Sequence, residues 1–486
     1  MRDKPMPWDR LCVIVIHAQS PFPAIVDTKE STVEREADVI VVGAGLSGLI
    51  AARKILDAGY EPLVIEADDR VGGRIDTRDV GDGIYLELGA QWIGDTHDRV
   101  RELARSFGIQ TYQQFEDGET SYEVGGPVMR ETAFYSRHGH DIEVWHRALA
   151  NLDVMAADVP ASAPWLAPKA TEWDEISIAQ WAESQTLTPI ARRMFEICTV
   201  GIFSAPCSEV ALLELLTCIS ACGVGAALFS EDEGGAQTTR FVGGTSLVTQ
   251  RLAETVGDRI ILNAPVVLLE HGDSGVTVTC RGGLVARGKQ VIVALAPTLA
   301  GRIMYDPPMP AIRDQLTQRA PQGSAMKCFV VYDEPFWRND GLNGQMISEP
   351  GPACMSNDSC MPDASAGVLL CFLEGEQART FGRWPEHQRR EALLDQLGRH
   401  FGPRATKPEL YVEGEWNSKQ WTRGCYNANF GPKTWTQFGE ALARPIGPIK
   451  WASSETADVW TGYMEGAVSS GERAAQEVLA VLAERS

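Results

Sequence analysis

The chain lacks features that would each have placed it in a class. No apolar run approaches the roughly 18–20 residues that span a bilayer, so no membrane anchor is expected. Positive charge is in deficit: 44 Lys and Arg stand against 65 Asp and Glu, a formal net charge of −21. Such a surface repels phosphates, which argues against a nucleic-acid partner. Eleven cysteines are present, but no two stand in C-x-x-C spacing. An odd, scattered set fits neither a disulfide framework nor a zinc site, and reduced thiols in a cytoplasmic protein are expected. No metal-ligating cluster stands out; "HGH" (His138–His140) lies in a polar stretch and is expected to face solvent. Nucleophile elbow, phosphate-binding lysine loop, internal repeat and low-complexity tract are all missing. "LCVIVIHA" (Leu11–Ala18) has a short apolar core, and Asp3 and Asp9 dilute its positive flank. Residues 1–36 therefore read as an N-terminal arm rather than an export signal.

What is present begins at Ala37. The chain of 486 residues, 44% hydrophobic and 22% charged, is long enough for two domains. "ADVIVVGAGLSGLIAARKILDAGYEPLVIEADDRVGGRI" contains a β-α-β unit. "DVIVV" is a continuous apolar run, as a strand buried on both faces requires. Gly43, Gly45 and Gly48 follow in G-x-G-x-x-G spacing, then Leu49, Ala52, Ile55 and Leu56 recur at helical spacing. Gly43 suits the tight turn, Gly45 the approach of a pyrophosphate, and Gly48 close helix–strand packing. The helix N-terminus offers unpaired N–H groups to phosphates. Glu66 ends the second strand, eighteen positions after Gly48, where it can accept hydrogen bonds from a ribose and repel an added 2′-phosphate. These features point to a dinucleotide and away from NADP. "DRVGGRI" resembles the second part of the FAD fingerprint of amine oxidases and related flavoenzymes, with Arg74 placed to neutralise pyrophosphate charge.

Beyond this unit the segments alternate in character. "DRVRELARSFGI" reads as helix, and helical periodicity dominates from about Gln113 to Gln237, clearest in "SEVALLELLTCISACG". Pro160, Pro164 and Pro168 mark a loop. "GVTVTC" alternates as an antiparallel strand, "KQVIVALAP" reads as a buried one, and "AMKCFVVY" and "GVLLCFLEG" are further strand candidates. "REALLDQLGRHFG" is amphipathic, "GPIKWASSE" reads as strand, and the chain ends in a long helix from "YMEGA". The expected organisation is a discontinuous cofactor domain (37–112, 238–300 and 420–486) interleaved with a substrate domain (113–237 and 301–419).

"RGCYNANF", "ETADVWTGYMEGAVSSGERAA", "RFVGGTSLV" and "GSAMKCFVVYDEPFWR" together resemble the flavin-containing monoamine oxidases, nearly throughout the chain from Ala37. The resemblance implies an α/β fold: a Rossmann-like FAD domain of the glutathione-reductase type with an α+β substrate domain. It implies that a primary or secondary amine is oxidised and O2 reduced to H2O2. It assigns Tyr426 and Tyr463 to an aromatic pair flanking the amine, and Lys327 to a water beside the flavin that is linked to oxygen chemistry. Cys425 matches the cysteine that bonds covalently to the FAD ring in the family, though some relatives lack it. Glu455 is placed at the ribityl chain, Val267 at adenine, and Trp416 near the flavin. Gly89, Ala90, Gln91 and Trp92 belong to the cofactor wall, and Met464 opens a helix aimed at the flavin. Ala221 falls where the animal enzymes line the cavity with glutamine. L-amino acid oxidases place an arginine near Gln91 and Trp92; its absence favours an amine, with a diamine or polyamine oxidase or an L-amino acid oxidase on the same fold left open. Oligomeric state also stays open, a homodimer included.

Overall fold

The computed structural model describes residues 33–223, 225–228 and 234–484. The export question posed by Leu11–Ala18 falls outside them. The glycine-rich unit forms as its pattern dictates. Val39–Val42 and Pro62–Ile65 are buried at every position, and helix Leu46–Asp57 joins them. They pair in parallel inside a five-stranded sheet ordered Ile260–Ile261, Pro62–Ile65, Val39–Val42, Gln290–Val293, Ile449–Trp451. Every pairing in this sheet is parallel, so each strand needs a crossover, and strands far apart in sequence meet side by side. The final helix, Met464–Glu484, lies against Leu46–Asp57, and both share one apolar cluster with Val39 and Val41.

A second five-stranded sheet runs Val33–Glu36, Leu284–Gly288, Gly275–Cys280, Val266–Gly272, Met304–Asp306. Its apolar face, including Leu269, Val276 and Val278, packs with Ile40, Val42, Leu63 and Ile65 from the first sheet. Val33–Glu36 was expected to be loose arm. It pairs instead with Leu284–Arg287, because an exposed sheet edge accepts any extended segment that satisfies its backbone groups.

The third sheet has seven strands, in the order Leu410–Glu415, Ala325–Tyr332, Gly367–Glu374, Met355–Asp358, Leu342–Ser348, Glu119–Glu123, Met129–Arg130. Ala325–Tyr332 and Gly367–Glu374 pair antiparallel over eight residues, all buried. Helices Glu131–Ala156, Pro189–Phe203 and Leu212–Cys222 accompany it. His138 corrects one expectation. It sits half-buried at a kink of the first of these helices, Nδ1 2.9 Å from Asp141 and its ring on Phe134, while His140 is exposed. No helix among the described residues is long and apolar enough to cross a membrane.

Candidate active site

The parallel sheet delivers its C-terminal ends to one cavity. Gly43 follows Val42, Glu66 follows Ile65, Ala294 follows Val293, and Ser454 lies three residues past Trp451; all line it. Ligands of open α/β sheets bind at this edge. Gly43 turns with φ +104°, and a Cβ there would meet the Ala294 carbonyl at 2.8 Å. Gly48 does not line the cavity. It lies beneath the turn, where a Cβ would come within 2.0 Å of the Gly43 carbonyl, so helix and turn close up only on glycine. Helix Leu46–Asp57 has Gly45 as its N-cap, with no side-chain cap and no acidic residue in the first turn. That N-terminus suits an anion. The buried Glu66 carboxylate accepts from the amides of Ala44 (2.6 Å) and Asp68 (2.8 Å), and burial pushes it above the usual carboxylate range. Two of its acceptor positions remain for hydroxyl donors.

The same wall carries residues from the far end of the chain. Arg74 donates to the Tyr426 carbonyl (2.6 Å) and grips Glu455 with two bonds of 2.8 and 3.0 Å. Glu455, in turn, accepts from the Ala428 amide at 3.0 Å. Arg74 holds that carboxylate ionised, below its ordinary value, against the opposing effect of burial. Arg74 is in the wall and Glu455 behind it, so the pair fixes the 425–428 turn to the 72–74 turn.

Lys327 lies in the Ala325–Tyr332 strand, one in from the edge of the seven-stranded sheet, with 3% exposure. Its ammonium donates to the carbonyls of Glu87 (3.1 Å) and Gly89 (2.6 Å) and to Oε1 of Gln91 (3.0 Å). Three acceptors match its three hydrogens. Burial pulls its pKa down to about 8, with the Glu87 carboxylate opposing the shift. Cys425 is buried and unbridged, and burial pushes its thiol up to about 12. Tyr426 and Tyr463 are both in the wall. Tyr463 is packed edge-on against Trp460 (5.1 Å) and His97 (5.8 Å). Trp416, fully buried, is anchored by Nε1 to the Leu88 carbonyl at 2.8 Å, and Trp92 by Nε1 to Gln114 at 2.8 Å. Gly89, Ala90, Gln91, Trp92 and Met464 complete this part of the lining.

Two further positions singled out in the sequence lie off this lining. Val267 is outside the wall: it is the bulged residue where the Val266–Gly272 strand slips register. Ala221 is also outside, its carbonyl accepting from the Trp460 amide, and Gln237 reaches the wall instead. Reading the sequence also missed Glu374, which closes the apolar strand Gly367–Glu374 and lines the cavity. A lone carboxylate at the end of a wholly apolar strand was the available signal.

The wall fits a flavin dinucleotide. Buried polar atoms without protein partners collect here: Nε2 of Gln91, Oε1 of Gln237, both amide ends of Gln322 and Oγ1 of Thr422. Buried polar groups are normally satisfied, so this cluster suits a ligand with many hydrogen-bonding atoms. An apolar patch with Trp416, Phe372, Met355 and Ile347 in the same lining suits a ring system.

Comparison with known proteins agrees. Residues 46–479 match the family described as flavin containing amine oxidoreductase. The chain is 35% identical over 445 residues to the probable flavin-containing monoamine oxidase A of Dictyostelium discoideum, covering 91% of this chain and 97% of that one. It is 34% identical over 456 residues to the flavin-containing amine oxidase B of Homo sapiens, covering 91% and 86%. The structure of wild-type putrescine oxidase bound to putrescine superposes with a TM-score of 0.86 at 32% identity, over 92% of this chain and 100% of that one. Cyclohexylamine oxidase from Brevibacterium oxydans IH-35A gives 0.86 at 31%, over 92% and 99%. The chain belongs to the flavin-containing amine oxidoreductases and is an FAD-dependent enzyme that oxidises amines.

Proposed function

We propose that the substrate is a small primary or secondary amine, which reacts in its neutral form between Tyr426 and Tyr463. The observation that carries this reading is convergence. A dinucleotide turn, two phenols, a buried ammonium and a buried thiol, drawn from residues 43 to 463, line one cavity. FAD, when bound, supplies the acceptance of two electrons and a hydrogen from the α-carbon and their delivery to O2 as H2O2. The protein's part is to hold, orient and polarise. The two phenol rings present electron-rich faces that guide an amine and keep its lone pair directed. Lys327 supplies a fixed positive charge that favours negative charge developing on oxygen. The helix N-terminus at Met464 adds a partial positive charge. Arg74 and Glu66 would serve the pyrophosphate and ribose, Glu455 sets Arg74, and the Cys425 thiol would be the group that bonds the flavin ring, its S–H and a ring-methyl C–H giving up two hydrogens and two electrons to the flavin and then to O2. The imine product hydrolyses to an aldehyde or ketone.

An amino acid fits less well. Among the described residues the cationic side chains in the wall are Arg74 and Lys327; Lys327 spends its three hydrogens on Glu87, Gly89 and Gln91, and Arg74 gives four of its five to Tyr426, Ser454 and Glu455, leaving Nε–H toward the pyrophosphate. A substrate carboxylate would find no open guanidinium there. The described cysteines are all unbridged, which supports a reducing, cytoplasmic setting. The test is peroxide release from phenethylamine, cyclohexylamine, putrescine and a panel of L-amino acids. Turnover of monoamines above the others is expected. Preference for an L-amino acid would overturn the assignment.

A further inference from the structure

Amines of this class reach the protein as ammonium ions, because an alkylammonium has a pKa of about 10. An ammonium has no lone pair, so a proton must leave before the α-carbon can be oxidised. The cavity has to accept that proton or return it to solvent. One residue of the wall is built to accept it.

Glu374 ends the strand Gly367–Glu374, has 0% exposure and lies in the same lining as Tyr426. Its carboxyl is held by donors and not by a cation in contact. These are the Ser204 hydroxyl at 3.4 Å and the Cys354 thiol at 3.5 Å, and the Tyr426 phenol stands beside the carboxyl in the same lining. Helix Pro189–Phe203 closes over it at Gly201, where a Cβ would sit 3.6 Å from Oε2 and collide with Met355. Glycine there leaves the carboxyl room. The titratable groups around it are Lys327 on the neighbouring strand, Cys354, Cys425 and Tyr426, with the Cys198 thiol on the covering helix acting on Cys354. Lys327 spends its hydrogens on Glu87, Gly89 and Gln91, so it acts on Glu374 through charge alone. Burial pushes the carboxyl up to about 7.

We propose that Glu374 takes up, through the phenol of Tyr426, the proton that the incoming ammonium must lose. The inference rests on the amine-oxidase reading above. An N–H bond of the ammonium breaks, and that proton passes to the Tyr426 oxygen as the phenol's own proton passes to a Glu374 oxygen. Nitrogen keeps the electron pair, no electron changes hands, and ammonium plus carboxylate become amine plus carboxylic acid. Desolvation drives the exchange, because a dry cavity disfavours both charged forms and neither neutral one. Glu374 is thus a positioning and proton-holding residue acting through Tyr426.

Two measurements on the FAD-loaded enzyme test this. The first counts protons released when tert-butylamine, which has no α-hydrogen to lose, binds at pH 8, by calorimetry in buffers of different ionisation enthalpy. The native enzyme is expected to release close to none, and Glu374→Gln about one per amine bound. Release of one proton by the native enzyme, or equal counts in both, would overturn the proposal. The second is the pH profile of kcat/KM for a monoamine. Glu374→Gln must draw on the neutral fraction in solution, about one part in 1,000 at pH 7. Its kcat/KM should fall roughly 100-fold at pH 7 and recover toward pH 10. Tyr426→Phe should show the same recovery. A loss that is uniform across pH is the mark of a structural role and would overturn the proposal. A loss confined to putrescine would do so too, since it would make Glu374 the counter-ion of a second ammonium. These outcomes differ from failure of the underlying reading, in which no amine would be oxidised at any pH.

Discussion

Cys425 and Lys327 face the same cavity, and burial acts on them in opposite senses. It pushes the thiol up to about 12 and pulls the ammonium down to about 8. In each case burial favours the neutral form. If Cys425 carries the flavin, acid precipitation should leave the yellow colour in the pellet, and Cys425→Ala should release all of it to the supernatant. Colour released from the native protein would remove the thioether. Lys327 is charged below its folded pKa and neutral above it. Its charge, and the oxygen step it assists, are therefore fully present at pH 6 and decline as pH rises through about 8. Lys327→Met should slow the reaction with O2 by about 10²–10³, the range seen when one preorganised charge-stabilising group is lost. It should also abolish the decline near pH 8. Rapid mixing of amine-reduced enzyme with oxygenated buffer measures both. These residues were legible because each stands in a distinctive local string. Glu374 was not, because no string records which donors a strand end will meet after folding.

Among the elements, helix Leu212–Cys222 shows how context overrides pattern. Its apolar character was plain in the sequence, yet it carries Glu214 fully inside, with a hydrogen bond of 2.6 Å from Nε1 of Trp435. Burial pushes this carboxyl up to about 8, helped by Asp174 nearby. A carboxyl raised in the folded state stabilises the protein while protonated. That contribution is complete below the unfolded value near 4.5 and is lost as pH rises through about 8. Glu214→Gln keeps the acceptor and removes the titration. It should match the native Tm at pH 5 and exceed it by about 2 °C or more at pH 8.5. Scanning calorimetry at the two values decides; parallel curves would place Glu214 in the unshifted range. The β-α-β unit was read correctly because three glycines and two apolar strands constrain it locally. The Val33–Glu36 strand and the Val267 bulge depend on partners some 250 and 13 residues away, which no local pattern announces.

Over the whole molecule, net charge and fold act together. A formal charge of −21 on a protein that takes cationic amines should raise their capture rate at low salt. For an alkylammonium substrate, kcat/KM should fall a few-fold, roughly 3-fold or more, between 10 mM and 500 mM salt, as screening shortens the field. An amine already neutral at the assay pH should show little change. Equal salt dependence for both would point to a cause other than steering. That cofactor-type motifs open the chain, return in its middle and close it was legible. The sheet edges were not, and Met304–Asp306 joins the second sheet from beyond the expected boundary at 300. The central claim is that the cavity joining residues 43 to 463 binds FAD and oxidises amines. It is tested most directly by adding an amine to the oxygen-free, flavin-loaded protein and following the flavin's visible absorbance. Bleaching by at least one primary or secondary monoamine is expected, with return of the colour on admitting air and one H2O2 formed per flavin. A flavin that stays yellow with every amine tried would contradict it.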